Sequence, residues 1–399
     1  MDVCVADEEF EDLCFQYGVE IEFGNGEEMQ MNRVSDTGAA IDISKEDVYK
    51  IEVAANRYDL LCLEGIAAAF KTYLDIEKIP RVAIKNSVAD DKLMHVIVKP
   101  ETKDVRPCVV ACVLRDIEFD VASYNSFIDL QDKLHQNICR RRTLASMGTH
   151  DLDKIAKGPI TYEALPPSEI VFQALKQTEE MDANKLFDVF REDVKMKKFL
   201  PILEQFDKYP VFYDAGRNVL SLPPIINSEK TKITTGTKNV FVEITGTDIM
   251  KTKICLAILA AQFSTHCHGE WQHHVEQVRI SYEGNPEKDE LTPTMDYTHF
   301  DVELANLNKI LGLKLDCDKV KDCAVKMGLE LVDTSEDGQK MKIEVPPTRA
   351  DILHPCDVIE DIGIGYGFNN IAKVFPPNNT VGAYQPANKF TDLLRAELA

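Results

Sequence analysis

The sequence predicts a multidomain α+β protein, with a small N-terminal α/β unit, a central mixed α+β domain and a C-terminal winged-helix-like α+β domain. Three observations support this division. A strand–turn–helix pattern occurs near each end of the chain, strand and helix patterns are mixed between the two copies, and two polar segments resemble linkers. The expected domains cover residues 1–80, 90–282 and 292–375, and residues 376–399 are expected to begin a further module.

The composition is that of an acidic globular protein. Of the 399 residues, 67 are Asp or Glu and 45 are Lys or Arg, which gives a formal net charge of −22. A nucleic-acid-binding surface requires a basic stripe that neutralises phosphates, and the chain as a whole does not offer one. The longest apolar run, 254–263, is too short to span a bilayer, which needs about 20 residues.

The cysteines and the N-terminus indicate a cytoplasmic protein. The 11 cysteines are scattered without a C-x-x-C pair, which favours reduced thiols over a disulfide framework. The acidic residues 1–13 have neither the positive nor the apolar region of a secretion signal. No phosphate-binding loop and no strand-linked G-x-G-x-x-G occur, so the chain has no recognisable nucleotide cradle.

The N-terminal unit is predicted to contain two helices and one strand. Residues 7–17 place apolar side chains on one helical face, and Gly18 ends this helix. Residues 24–46 are polar and indicate a loop, and residues 47–53 alternate as a strand does. A helix is expected at 59–74, with Asp59 as its N-cap.

The central region alternates strand and helix patterns. Strands are predicted at 95–98, 108–114, 211–213, 218–222, 240–245 and 275–281. Helices are predicted at 124–139, 181–191 and 249–264, and the last of them is apolar on nearly all sides and should be buried. The polar segments 79–92 and 282–293 that flank this region are interpreted as linkers.

Three consecutive arginines, 140–142, follow the first central helix. They are interpreted as a solvated helix end whose cations complement the C-terminal dipole. A contact with RNA phosphates is the alternative.

The C-terminal region begins with amphipathic helices at 302–311 and 318–327. Strands at 330–333 and 340–345 flank an SEDG turn, and a helix is expected to start near Pro355. This order is typical of a winged-helix-like or split α+β module. The segment after residue 374 begins as a Pro/Asn loop and ends in another helical pattern, so a further domain is expected to follow.

A duplicated strand–turn–helix unit connects the two ends. When Lys50 is aligned with Lys342, six positions match: Ile51/Ile343, Glu52/Glu344, Val53/Val345, Arg57/Arg349, Asp59/Asp351 and Leu61/Leu353. Two short stretches rarely agree this closely by chance, so we interpret them as copies of one unit.

Four carboxylates crowd the second copy: Asp351, Asp357, Glu360 and Asp361. The last three lie at i, i+3 and i+4 of a helix, and their like charges require compensation. A hydrated Mg²⁺ with one or two direct carboxylate ligands would supply it. The alternative is that the carboxylates complement the helix dipole and that Asp351 pairs with Arg349.

Polar side chains also collect at strand ends and turns of the central region. They are Ser221, Asn227, Glu243, Thr245, Thr247 and Asp248, and the segment 148–153 adds His150. Such groups can line a pocket for a polar small molecule, and they can equally serve as turn and helix caps. The histidine-rich segment 266–274 matches no common structural zinc spacing, so a polar exit loop is the simpler interpretation.

These motifs together resemble the β subunit of phenylalanine–tRNA ligase of the cytosolic eukaryotic and archaeal type. The resemblance is carried by ANRYDLLCLEG (55–65), LQDKLHQNICRRR (130–142), MGTHDLD (147–153), LSLPPIIN (220–227), VEITGTD (242–248) and PPTRADILHPCDVIED (346–361). The motifs occur in the family's order over nearly the whole chain. By the same comparison, the chain begins where the family's first helix is already under way.

The resemblance implies a catalytic α subunit as partner, in an (αβ)₂ heterotetramer that charges tRNA(Phe) using ATP and Mg²⁺. The α subunit would activate the amino acid, and Asp351, Asp357, Glu360 and Asp361 fall on the family's magnesium positions.

The resemblance also implies that the central domain is an editing domain, which hydrolyses tyrosine wrongly attached to the tRNA. Glu243 would accept the tyrosine hydroxyl, and Ser221, Thr245 and Thr247 would hold the ester and a water. His150 and Asp248 would lie at the rim. A scaffold subunit without editing activity and a free-standing binding or deacylating module are the alternatives.

Overall fold

The computed structural model describes residues 7–24, 48–89, 92–375, 378 and 382–399, so most of the predicted loop at 24–46 lies outside the described residues. The α-helices of the described part are α1 (Asp7–Tyr17), α2 (Leu63–Tyr73), α3 (Val121–Gln136), α4 (Ala183–Glu192), α5 (Pro201–Glu204), α6 (Ile249–Phe263), α7 (Leu304–Leu311), α8 (Cys317–Lys326), α9 (Pro355–Tyr366) and α10 (Pro386–Leu398). None of them is long and apolar enough to cross a membrane.

The strands of the described part are β1 (Glu20–Gly24), β2 (Val48–Glu52), β3 (Ala83–Ile84), β4 (His95–Val98), β5 (Cys108–Leu114), β6 (Ala145–Asp151), β7 (Ile160–Leu165), β8 (Val171–Phe172), β9 (Met181–Asp182), β10 (Tyr209–Tyr213), β11 (Val219–Leu222), β12 (Ile226–Asn227), β13 (Val240–Gly246), β14 (His274–Tyr282), β15 (Glu290–Thr292), β16 (Thr298–Glu303), β17 (Glu330–Thr334) and β18 (Lys340–Val345). Every strand and helix predicted for the central region is present, with ends shifted by up to three residues. The mixed α+β class is therefore confirmed.

The central domain is built on one curled sheet of 11 strands. Its path runs β12-β11-β10-β7-β4-β14-β5-β13-β6, and β3 and β15 pair with β14. The sheet closes around an inner core that includes Val109, Tyr162 and Phe212. Helices α3 and α6 cover its outer face through residues such as Phe127 and Leu259. As predicted, α6 is buried on nearly all sides.

Each of the two segments predicted as linkers contributes one short strand to this sheet, so neither is free of the central domain. β3, from the first segment, pairs in parallel with β14, and β15, from the second, pairs antiparallel with it. The reason is that β14 is nine residues long and offers more backbone hydrogen-bonding groups than its neighbours β4 and β5 use. Residues 90 and 91 of the first segment lie outside the described residues.

The N-terminal unit and the C-terminal domain share a single hydrophobic core. Leu13 of α1 and Phe70 of α2 belong to the same cluster as Val320 of α8, Ile343 of β18 and Ile362 of α9. The three-stranded sheet β16-β18-β17 belongs to the same unit and contributes residues such as Ile343 to its core. The two ends of the chain therefore fold as one body beside the central domain.

The duplicated strand–turn–helix unit is confirmed. Each copy places an arginine in the turn, and this arginine binds the aspartate two residues later, with Nη–Oδ distances of 2.9 Å for Arg57–Asp59 and 2.7 Å for Arg349–Asp351. The sequence predicted Asp59 as the N-cap of α2, and this prediction is wrong. The carboxylate of Asp59 is held by Arg57, and the helix starts at Leu63 instead.

Candidate functional site

A pocket of about 240 Å³ opens where the two ends of the curled sheet approach each other. Strand β11 contributes Ser221 and strand β13 contributes Glu243, and helix α3 forms the wall beside them. The lining includes the apolar side chains of Ile128, Met147, Phe190, Met196, Ile225 and Ile226. It also includes charged side chains, those of Asp132, Arg142, Lys176, Asp193 and Lys195. The pocket therefore combines apolar walls with polar groups, as small-molecule sites do.

Glu243 is the central polar group of this pocket. Val242 and Ile244 pack under α3 and α6, so the alternation of the strand directs Glu243 to the opposite side of the sheet. Ser221 Oγ donates a hydrogen bond of 2.7 Å to Glu243 Oε1. The other oxygen, Oε2, is buried and has no partner among the described residues. Ser221 and Glu243 are each 1% exposed.

Two residues lie next to the carboxyl group of Glu243. Gly148 lies opposite it on β6, where a Cβ atom would collide with Oε1. His150 Nε2 lies 3.8 Å from the same oxygen, and His150 Nδ1 is 2.9 Å from Thr231 Oγ1. His150 is fully buried, so its predicted position at the rim is wrong. It lies next to Glu243 in the interior of the domain, and its Nε2 atom has no hydrogen-bond partner among the described residues.

Thr245 lies near this site, but its hydroxyl is hydrogen-bonded to other residues. Arg106 Nε donates to Thr245 Oγ1 at 3.0 Å, and Ser146 Oγ lies 3.1 Å from the same hydroxyl. Ser146 lines the pocket, whereas Thr245 stands one layer behind it. In this arrangement Thr245 orients Ser146, and its hydroxyl does not open into the pocket.

Thr247 and Asp248 lie apart from the pocket. Thr247 is exposed beyond the end of β13. The Asp248 carboxylate caps α6, because it accepts the backbone N–H groups of Met250 and Lys251 at 2.9 and 3.2 Å. The prediction that Asp248 lies at the rim is therefore wrong, and the general alternative of a helix cap is correct for it. Asn227, in contrast, lines the pocket.

Helix α3 supplies site residues that the sequence analysis did not single out. Gln131 and His135 line the pocket one helical turn apart, and Asp132 lies at its edge. Gln131 Nε2 donates a hydrogen bond of 3.2 Å to the backbone carbonyl of Phe127. All three occur in the motif LQDKLHQNICRRR, but a buried polar residue on a helix face has no sequence signal that separates a site residue from a core residue.

The three arginines after α3 form an unusual left-handed turn. Arg140, Arg141 and Arg142 have φ values of 46°, 54° and 66°, a region that side chains other than glycine rarely adopt. Fully buried Arg106 holds the turn, because its Nη groups donate to the carbonyls of Arg142 and Thr143 at 3.1 Å. Arg142 lines the pocket, and Arg140 and Arg141 are exposed beside it.

The four carboxylates of the second duplicated unit do not converge on one point. Asp351 and Asp361 are buried against Arg349, whose Nη2 lies 2.7 Å from a carboxylate oxygen of each. Asp357 caps α9 by accepting the N–H groups of Leu353 and His354. Within the described residues, no group of three or more metal-binding side chains is arranged to hold an ion. The four residues therefore do not fit a common magnesium site.

The pKa values of Asp361 and Asp357 follow their surroundings. Burial raises the pKa of Asp361 to about 6, although Arg349 and Arg57 act in the opposite direction. Burial also acts to raise the pKa of Asp357, but the hydrogen bonds from Leu353 and His354 outweigh it and lower this pKa. Glu360 is exposed on the outer side of the helix, so it does not share a face with buried Asp361.

The histidines of the segment 266–274 also point to separate partners. His266 Nε2 lies 2.9 Å from Glu64 Oε1, and His268 Nε2 lies 3.0 Å from Glu118 Oε2. His274 Nδ1 is close to the carbonyl of Gln272. The interpretation of this segment as a polar exit loop agrees with these contacts, and one of them connects α2 to the central domain.

Comparison with known proteins gives three matching family models. A Phe-tRNA synthetase beta subunit B1 domain matches residues 1–76, a B3/4 domain matches residues 100–262, and a tRNA synthetase B5 domain matches residues 300–368. The pocket lies within the B3/4 region. The chain therefore has the domains of an aminoacyl-tRNA synthetase subunit.

Individual relatives agree with this class. The cytoplasmic phenylalanine–tRNA ligase beta subunit of Arabidopsis thaliana is 44% identical over 98% of this chain and 64% of its own length. The Homo sapiens phenylalanine–tRNA ligase beta subunit is 41% identical over 98% of this chain and 65% of its own length. The chain thus spans about two thirds of these relatives.

A solved structure covers the same region. The N-terminal fragment of the phenylalanyl-tRNA synthetase beta subunit from Pyrococcus horikoshii superposes with a TM-score of 0.77 and 30% identity. The match covers 91% of this chain and 94% of that one. The chain belongs to the phenylalanine–tRNA ligase beta-subunit family.

Proposed function

We propose that this chain acts as the β subunit of a phenylalanine–tRNA ligase and that its central domain hydrolyses Tyr-tRNA(Phe). The family membership supports a role in the charging of tRNA(Phe), with ATP used by an α subunit in an (αβ)₂ heterotetramer. The observation that carries the editing role is the buried carboxyl group of Glu243, which lines the pocket and has one oxygen without a partner among the described residues. A cytoplasmic location is part of the proposal, in line with the name of the Arabidopsis relative.

The chemistry of amino-acid selection explains why such a pocket is needed. A hydrophobic site built for phenylalanine rejects an isostere with one extra hydroxyl only about 10²-fold. A second site that requires the hydroxyl can remove the error by hydrolysis. Glu243 Oε2 would accept the phenol O–H of tyrosine, and Ser221 would keep Oε1 in place. A phenylalanyl group would leave Oε2 buried without a partner, which costs about 1–3 kcal/mol.

The left-handed arginine turn would bind the end of the tRNA. Arg140 and Arg141 extend their side chains into solvent next to the pocket, and the carbonyls of the turn are held by Arg106. A local cationic turn can contact phosphates even though the chain as a whole is strongly acidic. We therefore favour the RNA contact for these arginines over the solvated helix end.

Magnesium belongs to the reaction with ATP, where it would neutralise phosphate charge. The prediction that all four carboxylates bind Mg²⁺ receives no support from their geometry, since Asp351 and Asp361 already neutralise Arg349. A hydrated ion would find only Asp357 and Glu360 on the outer side of α9. No step of the proposed function is assigned to this position.

The test is hydrolysis of Tyr-tRNA(Phe), with Phe-tRNA(Phe) as control, by this chain in complex with a cognate α subunit. We expect rapid loss of the tyrosyl ester and little loss of the phenylalanyl ester. Glu243→Gln should lower the tyrosyl rate at least tenfold, because an amide NH₂ or carbonyl replaces the carboxylate acceptor. Glu118→Gln, which changes an exposed carboxylate of the same domain, should not alter the rate.

Two other functions predict different results in the same assay. A scaffold without editing activity would bind the α subunit and leave both esters intact. A free-standing deacylating module would hydrolyse the tyrosyl ester without binding the α subunit. An unchanged tyrosyl rate in Glu243→Gln would show that this residue does not recognise the hydroxyl.

A further inference from the structure

His135 on α3 has a buried ring nitrogen that the proposed function does not use. The side chain is 5% exposed and lines the same pocket as Ser221 and Glu243. Its Nδ1 atom is buried and has no hydrogen-bond partner within the described part of the chain. A buried polar atom without a partner costs about 1–3 kcal/mol, so its presence at a pocket wall points to a ligand.

The hydrogen bonding of the ring determines which nitrogen carries the proton. The backbone N–H of Met147 donates to His135 Nε2 at 2.9 Å, so Nε2 is an acceptor without a proton. Burial, together with the charges of Arg142 and Arg106, lowers the pKa of His135 well below its usual value and keeps the ring neutral. In a neutral imidazole the single proton is then on Nδ1. The unpartnered atom is therefore a donor.

The pocket thus contains two buried unpartnered groups of opposite kind. Glu243 Oε2 is an acceptor, and His135 Nδ1–H is a donor. A hydroxyl group both donates one hydrogen bond and accepts others, so one hydroxyl can satisfy both. The apolar walls formed by Ile128, Phe190 and Met196 suit an aromatic ring that carries this hydroxyl.

We propose that His135 is a specificity-determining residue of the editing pocket, whose Nδ1–H donates to the phenol oxygen while the phenol proton is donated to Glu243 Oε2. This inference rests on the proposed editing function and adds a second recognition group to it. A phenylalanyl group would leave both polar groups unsatisfied. Discrimination between the two esters then depends on a donor and an acceptor together.

Two substitutions test the roles of the two ring nitrogens of His135 separately. His135→Gln can place its amide oxygen near the former Nε2 and accept the Met147 N–H, but it has no donor at the Nδ1 position. His135→Asn can place an NH₂ group near the former Nδ1, but it leaves the Met147 N–H without an acceptor. We expect His135→Gln to lower kcat/KM for Tyr-tRNA(Phe) about 10- to 100-fold in the complex with the α subunit. His135→Asn should retain more of this activity, although its melting temperature should be lower.

A substrate with a changed ring substituent tests the direction of the hydrogen bond. tRNA(Phe) charged with 4-aminophenylalanine presents an aromatic amine, which donates well and accepts poorly. Wild type and His135→Gln should hydrolyse this ester at rates that differ by less than about threefold, since the donor has little to bind. Hydrolysis of Phe-tRNA(Phe) should remain equally slow in both.

The outcomes distinguish the His135 role from the editing function itself. If wild type hydrolyses Tyr-tRNA(Phe) and His135→Gln does so equally well, the role of His135 is disproved and editing stands. If His135→Gln loses activity equally on the tyrosyl and 4-aminophenylalanyl esters, His135 acts on the ester or on folding, and the proposal is again wrong. If wild type itself leaves the tyrosyl ester intact, the editing function fails and this inference fails with it.

Discussion

At the scale of single residues, the site depends on small side chains next to Glu243. The carboxyl group lies between Ala111 of β5 and Gly148 of β6, the residues paired with it in the register of the sheet. A Cβ atom at Gly148 would meet Glu243 Oε1 and would lie 3.1 Å from His150 Nε2. The position of the carboxyl group is thus set by the absence of a side chain opposite it.

Gly148→Ala should therefore reduce the proposed editing activity by a larger factor than it reduces the stability of the fold. The new methyl group would push the Glu243 carboxyl away from Ser221, because a side-chain end moves more easily than the two paired strands. We expect at least a tenfold lower rate of Tyr-tRNA(Phe) hydrolysis and a loss of about 1–3 kcal/mol in the free energy of unfolding. Gly236→Ala is the control, since its Cβ would have only Thr234 Oγ1 as a neighbour, at 3.7 Å. Equal hydrolysis rates in Gly148→Ala and wild type would contradict the arrangement.

The sequence indicated some of these residues and not others, for identifiable reasons. The sequence indicates Ser221 and Glu243 because they belong to polar residues at predicted strand ends and turns, and the family resemblance gives them roles in one site. Strand β6 was missed because ASMGTHD has little strand propensity, although all seven residues are buried. His135 was missed because its spacing on α3 is that of a core helix. Its role depends on a hydrogen bond to Met147, twelve residues later.

At the scale of elements, the left-handed turn at 140–142 is held in place by contacts from outside it. Arg106 bonds the carbonyls of Arg142 and Thr143, and Arg142 Nη1 donates to the carbonyl of Ile225 at 3.0 Å. The turn is thereby attached both to the core of the sheet and to the segment between β11 and β12. This leaves the side chains of Arg140 and Arg141 in solvent at a fixed position near the pocket.

Replacing both exposed arginines should weaken binding of tRNA(Phe) and reduce its salt dependence. In Arg140→Gln/Arg141→Gln we expect the slope of log K against log[salt] to become less negative by about 0.7–0.9 for each lost phosphate contact. Arg191→Gln is the control, because Arg191 is exposed in the same domain and paired with Asp188 and Glu204. The measurement is a binding titration of the complex at several salt concentrations. An unchanged slope would favour the solvated helix end.

The carboxylates of the second duplicated unit should not make the stability of the chain depend on magnesium. Asp351 and Asp361 already face a buried cation, so adding or chelating Mg²⁺ should leave the melting temperature of the chain unchanged. Asp351→Ala should reduce the free energy of unfolding by about 3 kcal/mol, because it leaves the Arg349 charge partly uncompensated. This loss should be the same with Mg²⁺ and with EDTA. Glu360→Gln, an exposed change, serves as control, and a melting temperature that rises with Mg²⁺ only in wild type would support the metal site instead.

At the scale of the whole molecule, the body formed by the chain ends is joined to the central domain by apolar contacts, such as Cys62 in the core beneath α3 and α6, and by polar ones. Arg81 binds Glu344 of β18, with Nη2–Oε2 at 3.1 Å, and its guanidinium lies 4.0 Å from the Tyr297 ring. Gln262 of α6 donates to the Asp59 carbonyl at 3.1 Å. The sequence showed the duplication but not the shared core of its copies, because the contacts between them are separated by nearly 300 residues.

Glu64 of α2 makes a further contact with the central domain and should make the junction sensitive to acid. Its carboxylate lies 2.9 Å from His266 Nε2 and accepts the hydroxyl of Ser126 at 2.6 Å. Burial acts to raise the pKa of Glu64, but the hydrogen bonds from His266 and Ser126 outweigh it and lower the pKa below 4.5. A carboxyl group with a lowered pKa in the folded state stabilises the fold above its unfolded pKa, and this contribution is lost as the pH falls through the folded value.

Glu64→Gln should therefore destabilise the chain at neutral pH but not in acid. We expect the variant to have a free energy of unfolding about 1–2 kcal/mol below that of wild type at pH 7, from the lost charge-assisted hydrogen bonds. The difference should shrink as the pH falls below about 4.5, since wild type then loses the same charge. Denaturant titrations over a pH series measure it. Glu118→Gln is the matched control, because Glu118 pairs with His268 on the exposed surface and should contribute less than about 1 kcal/mol. A difference for Glu64→Gln that is constant with pH would mean that the junction depends on the shape of the side chain and not on its charge.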